Sequence, residues 1–239
     1  MSELAEQGVT PPPLPSLPSR IVAVFMSPAS LFDKLKERPV WLVPFLVSVA
    51  LGTGIQLIVP AEMRMEVVEQ QLAASGNEVT QEQIDTAMSF SDPTGVFQIV
   101  IRVVFGLGMY AFLALVLFAT FSLIMRGTGS FKQLFSALCH AGYVPLAGAL
   151  LSSILISQTG NPAAAINMGL LTPEGASGFS AAFLNGIDPF AVWGCVTMGV
   201  AVSRIYEGRS VAAGAGLLIF VYFTVVAAGA ALGTAFGAG

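Results

Sequence analysis

Charged residues are scarce in this chain. Lys, Arg, Asp and Glu together make up 10% of its 239 residues, against about a quarter in a typical globular protein. Hydrophobic residues make up 55%, and the mean hydropathy is +0.79. Water cannot solvate a surface so poor in charge, whereas a bilayer offers a second, apolar solvent. The composition therefore excludes an ordinary soluble domain and predicts an integral membrane protein.

Chemically reactive residues are equally scarce. The chain has one histidine and two cysteines, and their spacing suits no metal site, while no phosphate-binding glycine loop or Ser/His/Asp constellation is present. Cys139 and Cys195 fall inside apolar runs and are predicted to be packing residues. We expect no catalytic residue, no metal ligand and no cofactor. The net charge of −4 and the scattered basic residues argue against nucleic-acid binding.

The start of the chain lacks a secretory signal. Its first 20 residues include Glu3 and Glu6, have no apolar stretch, and contain the run "TPPPLPSLP". Residues 1–26 are therefore predicted to be a disordered, Pro-rich cytoplasmic leader. Residues 27–239 are predicted to form a single membrane domain.

Five apolar runs are long enough to cross a bilayer, which takes about 20 residues. They cover about 40–59, 103–125, 134–156, 189–206 and 211–236. Asp188 before a proline, and Ser130 followed by Gln133, are typical helix starts. The acidic loop 61–95 is long, and Thr80 opens a second helix within it. The predicted fold is an all-α, five-span transmembrane bundle with an N-terminal interfacial amphipathic helix and an outer helical hairpin.

Basic residues concentrate in the connections on one side of the predicted spans: Arg20, Lys34, Lys36, Arg38, Arg126, Lys132, Arg204 and Arg209. The opposite connections hold most of the acidic residues. Because cytoplasmic loops carry an excess of Lys and Arg, the N-terminus is predicted to lie in the cytoplasm and the C-terminus outside. The expected location is the cell (inner) membrane.

The stretch "SPASLFDKLKERPVW" precedes the first predicted span. Ser27 is a good N-cap, and Leu31, Phe32 and Leu35 share one face of the helix that follows. We favour an interfacial helix whose apolar face lies in the headgroup layer among membrane lipids. The alternative is a docking surface through which residues 1–38 bind a cytosolic protein partner.

Three segments resemble the Yip domain, the family of Ypt/Rab-interacting membrane proteins, in its bacterial branch. The first is "FMSPASLFDKLKERPVWLVPFLV". The second is "GSFKQLFSALCHAGYVPLAGALLSSIL", with the motif residues Gly142, Tyr143 and Pro145. The third is "GIDPFAVWGCVTMGVAVSRIYEGRSVAAGAGLLI", with the motif residues Asp188, Phe190 and Trp193. The resemblance extends from about residue 25 to residue 236.

The resemblance implies five spans, a cytosolic N-terminus and a non-enzymatic role as a scaffold or adaptor in membrane organisation or trafficking-like processes. The Asp-Leu-Tyr-Gly-Pro stretch of eukaryotic members is absent, since the matching region reads "PVWLVPF", so Rab binding is not implied. The alternative function is a small transporter, channel or lipid-handling protein, with a path between the second, third and fourth spans.

Charged or polar residues near the spans are the remaining candidates. Arg102 and Asp188 both fall on the outer side, and we hypothesise an intramembrane charge pair between them. The competing interpretation leaves Arg102 at the membrane boundary, where its side chain reaches the headgroups. His140 is interpreted as a hydrogen-bonded packing residue, and Pro145 as the source of a kink in the third span.

Gly229, Gly233 and Gly237 form a G-x-x-x-G-x-x-x-G pattern on the fifth predicted span. Small residues at this spacing allow two helices to approach closely. The pattern predicts helix packing, either within the chain or between the copies of a homo-oligomer.

Overall fold

A computed structural model describes residues 13–74, 80–173 and 175–235, and this part of the chain folds into helices without strands. The α-helices are α1 Leu17–Met26, α2 Pro28–Glu37, α3 Leu42–Gln56, α4 Ala61–Ala74, α5 Gln81–Ser91, α6 Val96–Phe118, α7 Phe131–Ala141, α8 Tyr143–Thr159, α9 Phe179–Asn185, α10 Pro189–Ile205 and α11 Val211–Ala235. A π-helical turn, Ala119–Ile124, extends α6. Two 3₁₀ turns, Pro162–Ala164 and Met168–Leu171, lie between α8 and α9.

Three helical segments are long and apolar enough to cross a membrane: Val96–Ile124, Phe131–Thr159 and Val211–Ala235. Two more spans result if each bent pair counts as one, namely α3 with the start of α4, bent by 84°, and α9 with α10, bent by 57°. The chain is therefore a multi-pass membrane protein with three to five spans. The three long segments correspond to the second, third and fifth predicted spans.

The segment α7–α8 is the central helix of the bundle. Of its most apolar stretch, 67% is buried inside the protein, against 6% for α6 with its π turn and 17% for α11. The buried core collects around α7 and includes Val24, Leu117, Leu134 and Val202, each 0% exposed. The faces of α6 and α11 that are left uncovered carry large apolar side chains, which suits contact with lipid.

Local start signals were predicted correctly. The side chain of Ser130 accepts from the backbone N–H of Gln133, whose own side chain accepts from Ser130, and Thr80 forms the same capping box with Gln83. The acidic segment forms two helices, α4 and α5, as predicted.

Glycine permits close packing between two of the helices, since a Cβ added at Gly148 of α8 would lie 2.6 Å from the Phe190 ring of α10.

The predicted disordered leader is too long. Helix α1 occupies Leu17–Met26, its cap Ser16 accepts from the N–H of Ser19, and Val24 is fully buried. The apolar residues Ile21, Ala23, Val24 and Phe25 explain this helix, because they join or pack against the core once α1 folds back against α2, α7 and α8. Residues 1–12 of the predicted leader lie outside the described residues.

Helix α2 exists as predicted, but its apolar face does not lie in lipid. Leu31, Phe32 and Leu35 are at most 2% exposed, and α2 packs against α10 and α7. An apolar stripe gains the same transfer free energy from a protein surface as from lipid. Here the protein surface covers the stripe.

Candidate functional site

The hypothesised charge pair between Arg102 and Asp188 is not formed. The Arg102 guanidinium donates to the side chains of Thr53 and, at 2.8 Å, Gln56 on α3. One Asp188 oxygen accepts from the N–H of Phe190 at 2.7 Å, as the N-cap of α10. Each residue thus forms hydrogen bonds with near neighbours instead of with the other.

Arg102 also lies deeper in its helix than predicted. Helix α6 begins at Val96, seven residues before the predicted start of the second span. The Val96–Ile124 segment has 29 residues, or about 43 Å at 1.5 Å per residue, which exceeds the ~30 Å hydrocarbon core. Its terminal turns can therefore lie among headgroups, and Arg102 joins α6 to α3 near one of those ends.

The motif residues of the third predicted span form the junction of α7 and α8. Gly142 lies between the two helices, and a side chain there would collide with the hydroxyl of Tyr110 on α6. The Tyr143 hydroxyl donates to the backbone carbonyl of Pro44 at 2.8 Å and so ties α8 to α3. The junction lies three residues before Pro145, within a continuous span from residue 131 to residue 159, and the kink predicted from Pro145 itself stays a prediction.

The motif residues of the fourth predicted span are packing residues. The Phe190 ring lies against Gly148, where no side chain blocks it. The Trp193 ring meets Phe25 of α1 edge-on, with 5.6 Å between the ring centroids, and also contacts Phe190. These rings hold α10 against α8 on one side and against α1 on the other.

A buried polar cluster joins α1 to α7, and sequence reasoning missed its partner residue. His140 is fully buried, and its Nδ1 lies 2.8 Å from the Ser136 carbonyl oxygen. Since a carbonyl can only accept, Nδ1 carries the proton, and Nε2 accepts from the Arg20 guanidinium at 3.0 Å. His140 is therefore a hydrogen-bonded core residue, as predicted.

Arg20 is 9% exposed, and its Nε has no hydrogen-bond partner in the described part of the chain. Sequence reasoning treated Arg20 only as a basic residue in a leader. The available signal was Ser16 followed by a proline and an apolar run, which is typical of a helix start. Had α1 been predicted as a buried helix, its only cation, Arg20, would have required a hydrogen-bonding partner.

Ion pairs fix α2 to the end of the bundle where α7 starts and α10 ends, which we call the basic end after Lys36, Lys132 and Arg204. Asp33 accepts two hydrogen bonds from the Arg204 guanidinium, at 2.8 and 2.7 Å. Lys36 and Glu207 form a longer contact of 3.8 Å. The side chains of the Asp33–Arg204 pair are about half exposed, so these pairs position α2 more than they stabilise it.

Hydrogen bonds join the segment after α2 to α7. The Gln133 side chain donates to the Lys36 carbonyl at 2.8 Å. The Ser136 hydroxyl accepts from the N–H of Val40 and donates to its carbonyl, at 3.1 and 2.7 Å. Hydrogen bonds and packing thus make α1, α2 and the chain that follows them an integral part of the folded bundle.

A cavity of about 300 Å³ lies between α6, the α7–α8 junction, α10 and α11. Its lining is apolar apart from the hydroxyls of Tyr110 and Tyr222 and the thiol of Cys195. None of Gln98, Arg102, His140 and Asp188 lines it. The cavity lies where a path between the second, third and fourth spans was expected, but it offers no continuous polar surface.

Two glycines of α11 that were predicted to pack against another helix have no such contact among the described residues. Nothing in the described chain lies within 4 Å of a Cβ added at Gly229 or Gly233. Gly237 lies outside the described residues. Packing between these glycines and another helix of the same chain is therefore absent among the described residues, and packing between copies stays a prediction.

The residues that the structure describes contain neither a metal-binding cluster nor a disulfide. No group of three or more His, Cys, Asp or Glu side chains there could hold a metal ion. Cys139 and Cys195 are both free thiols.

In the turn before α6, the Asp92 carboxylate accepts from the backbone N–H and hydroxyl of Thr94, which lowers the pKa of Asp92.

Comparison with known proteins places this arrangement in a family. A family model described as the Yip1 domain matches residues 22–232. No curated protein and no solved structure matches the chain. The matched residues include α2, the α7–α8 junction and the α10–α11 hairpin described above.

Proposed function

Because this chain belongs to the Yip1 domain family, we propose that it is a non-enzymatic scaffold or adaptor in membrane organisation or trafficking-like processes. It lies in the cell (inner) membrane among lipids, with its basic end in the cytoplasm, in line with the excess of Lys and Arg there. It acts through a cytosolic protein that binds its N-terminal helices.

The observation that carries this proposal is the rigid attachment of α2 to the spans. Hydrogen bonds and ion pairs join α2 to α7 and α10, so the outer face of α2 is held in a constant orientation. That face carries Ser30, Lys34, Glu37 and Arg38, all exposed. A partner can bind such a preformed charged surface without the entropic cost of ordering a flexible tail.

Removing residues 1–38 would not test this proposal cleanly. Val24, Leu31 and Phe32 belong to the buried core, so a truncated chain would lose stability together with any docking surface. Substitutions on the exposed face of α2 leave these core contacts in place.

The test uses a photo-crosslinking amino acid in place of Ser30 in the full chain, in native membranes. A control chain carries the same group in place of Phe220, which is 70% exposed on α11. We expect a discrete protein adduct at position 30, lost when Lys34→Glu and Arg38→Glu reverse the charge of the face, and only lipid adducts at position 220. Lipid adducts alone at both positions would refute the adaptor role.

A path for polar solutes has less support as an alternative. The cavity between the spans touches no charged side chain, and an ion or polar solute would lose its hydration there without compensation. Of the alternative functions, handling of an apolar molecule fits this lining best.

A further inference from the structure

The central cavity lies at the mid-length of the three long apolar segments, which corresponds to the middle of a bilayer that they cross. Tyr110 is the central residue of the Val96–Ile124 segment, and Pro145 is the central residue of Phe131–Thr159. Tyr222 lies next to the centre of Val211–Ala235. All three line the cavity. The surrounding medium at this depth is the methyl half of the lipid acyl chains, far from headgroups and water.

The cavity opens sideways toward this medium. Two of its lining residues, Phe112 of α6 and Val225 of α11, are 51% and 55% exposed. They lie on two helices that contact each other little, because α6 packs mainly on α7. An apolar chain can therefore enter between α6 and α11 without crossing the headgroup layer.

The lining selects for a hydrocarbon occupant. The Tyr222 hydroxyl donates to the Gly186 carbonyl and accepts from the N–H of Asp188, so it is already satisfied. The Tyr110 hydroxyl has no hydrogen-bond partner among the described residues, and it lies against Gly142. A buried water needs two to four polar partners, which a single free hydroxyl does not supply.

We propose that this cavity is a binding site for the methyl end of one acyl chain of a bilayer phospholipid, which enters between α6 and α11. The proposal is independent of the adaptor role, since it concerns the middle of the bundle and not α2. Its occupant follows from three observations: the depth of the cavity, its lateral opening and its apolar lining.

The test places the full chain in phosphatidylcholine vesicles that contain a trace of a photoactivatable phosphatidylcholine. In one probe the diazirine lies near the methyl end of an acyl chain, and in the other it lies beside the ester. After irradiation, adducts are mapped by mass spectrometry. We expect the methyl-end probe to label the cavity residues of α6, α8 and α10 about tenfold more than the ester-end probe.

Two matched variants separate the cavity from ordinary lipid contact. Ala191→Phe places a ring in the cavity, whereas Ala228→Phe places the same ring on the exposed face of α11. We expect Ala191→Phe to lower labelling of the cavity residues about tenfold, with the labelling of exposed Phe105 on α6 unchanged. Ala228→Phe should leave both unchanged. Equal labelling of the cavity in all three proteins would overturn the proposal.

Tyr110→Phe keeps the aromatic ring and removes the free hydroxyl. Unchanged labelling in this variant supports a hydrocarbon occupant, and lost labelling would mean that the site recognises a polar ligand instead. If both probes fail to label the cavity and a crosslinker at Val225 gives chain–chain adducts, a second copy fills the gap and the proposal is wrong. A thermal unfolding curve for each variant identifies any that fails to fold.

Discussion

The buried contact between Arg20 and His140 gives the sharpest prediction, because the two single substitutions should differ. Arg20→Met removes the donor and leaves the buried Nε2 of His140 without a partner, which costs about 1–3 kcal/mol. His140→Leu removes the acceptor and leaves a 9% exposed guanidinium without it, which costs more, about 3 kcal/mol, because the unpaired group is charged. The double variant leaves neither group unpaired and should be near wild type.

Thermal unfolding in mild detergent measures this difference. Cys139 is fully buried in α7, so a thiol-reactive dye reports its exposure on unfolding. At about 2–4 °C per kcal/mol for a domain of this size, His140→Leu should lower Tm by about 6–12 °C, and Arg20→Met by less. If the two losses are equal, or if they add in the double variant, the guanidinium is not held at this site and the reasoning is refuted.

Three further predictions use the same unfolding assay or hydrogen exchange. Gly148→Leu should lower stability by more than about 2 kcal/mol, because its side chain meets a ring on α10, whereas Gly229→Leu faces open space and should change it by under about 0.5 kcal/mol. Equal losses would contradict the packing. Arg204→Ala breaks a half-exposed ion pair and should lower stability only slightly, and by less in high salt; a loss as large as that of Gly148→Leu would mean that the pair is buried. The pKa of Asp92 is lowered by its bonds from Thr94, so the turn before α6 gains stability above the unfolded pKa of about 3.9 and loses it as the pH falls through the folded pKa. The protection factor of the amides in that turn, which compares exchange with the intrinsic rate at the same pH, should therefore fall at low pH, and in Asp92→Ala it should be low at pH 7 as well; a well-protected turn in that variant would contradict the assignment.

The features that sequence reasoning predicted correctly are local. The capping boxes at Thr80 and Ser130 and the cap at Asp188 involve residues two or three positions apart. Their geometry follows from the helix itself, whatever surrounds it. The long apolar helices were also predictable, because crossing a hydrocarbon layer sets their length and composition.

Long-range partners could not be predicted in this way. Arg20 and His140 are 120 positions apart, and neither neighbourhood indicates the other. The hypothesised partner of Arg102 was wrong for a related reason: opposite charge on the same side of the membrane suggested Asp188, yet Thr53 and Gln56 lie closer. Neutral side chains on an adjacent helix can also accept hydrogen bonds from a guanidinium, and composition does not reveal which acceptor is nearer.

The fourth predicted span, about 189–206, is the shortest and the weakest of the five apolar runs, and its surroundings explain this. Helix α10 is enclosed near the basic end, where Thr197, Ala201 and Val202 are at most 2% exposed, and α2 and α7 cover it. A helix that faces protein needs fewer large apolar side chains than one that faces lipid, because small residues let its neighbours approach. The apolar stripe of α2 and the modest hydrophobicity of α10 therefore have one cause, which is the contact between the two helices. Considered alone, the apolar stripe of α2 suggested an anchor that faces lipid, and the sequence of α10 suggested a marginal span. Considered together, the two features predict that α2 packs on α10.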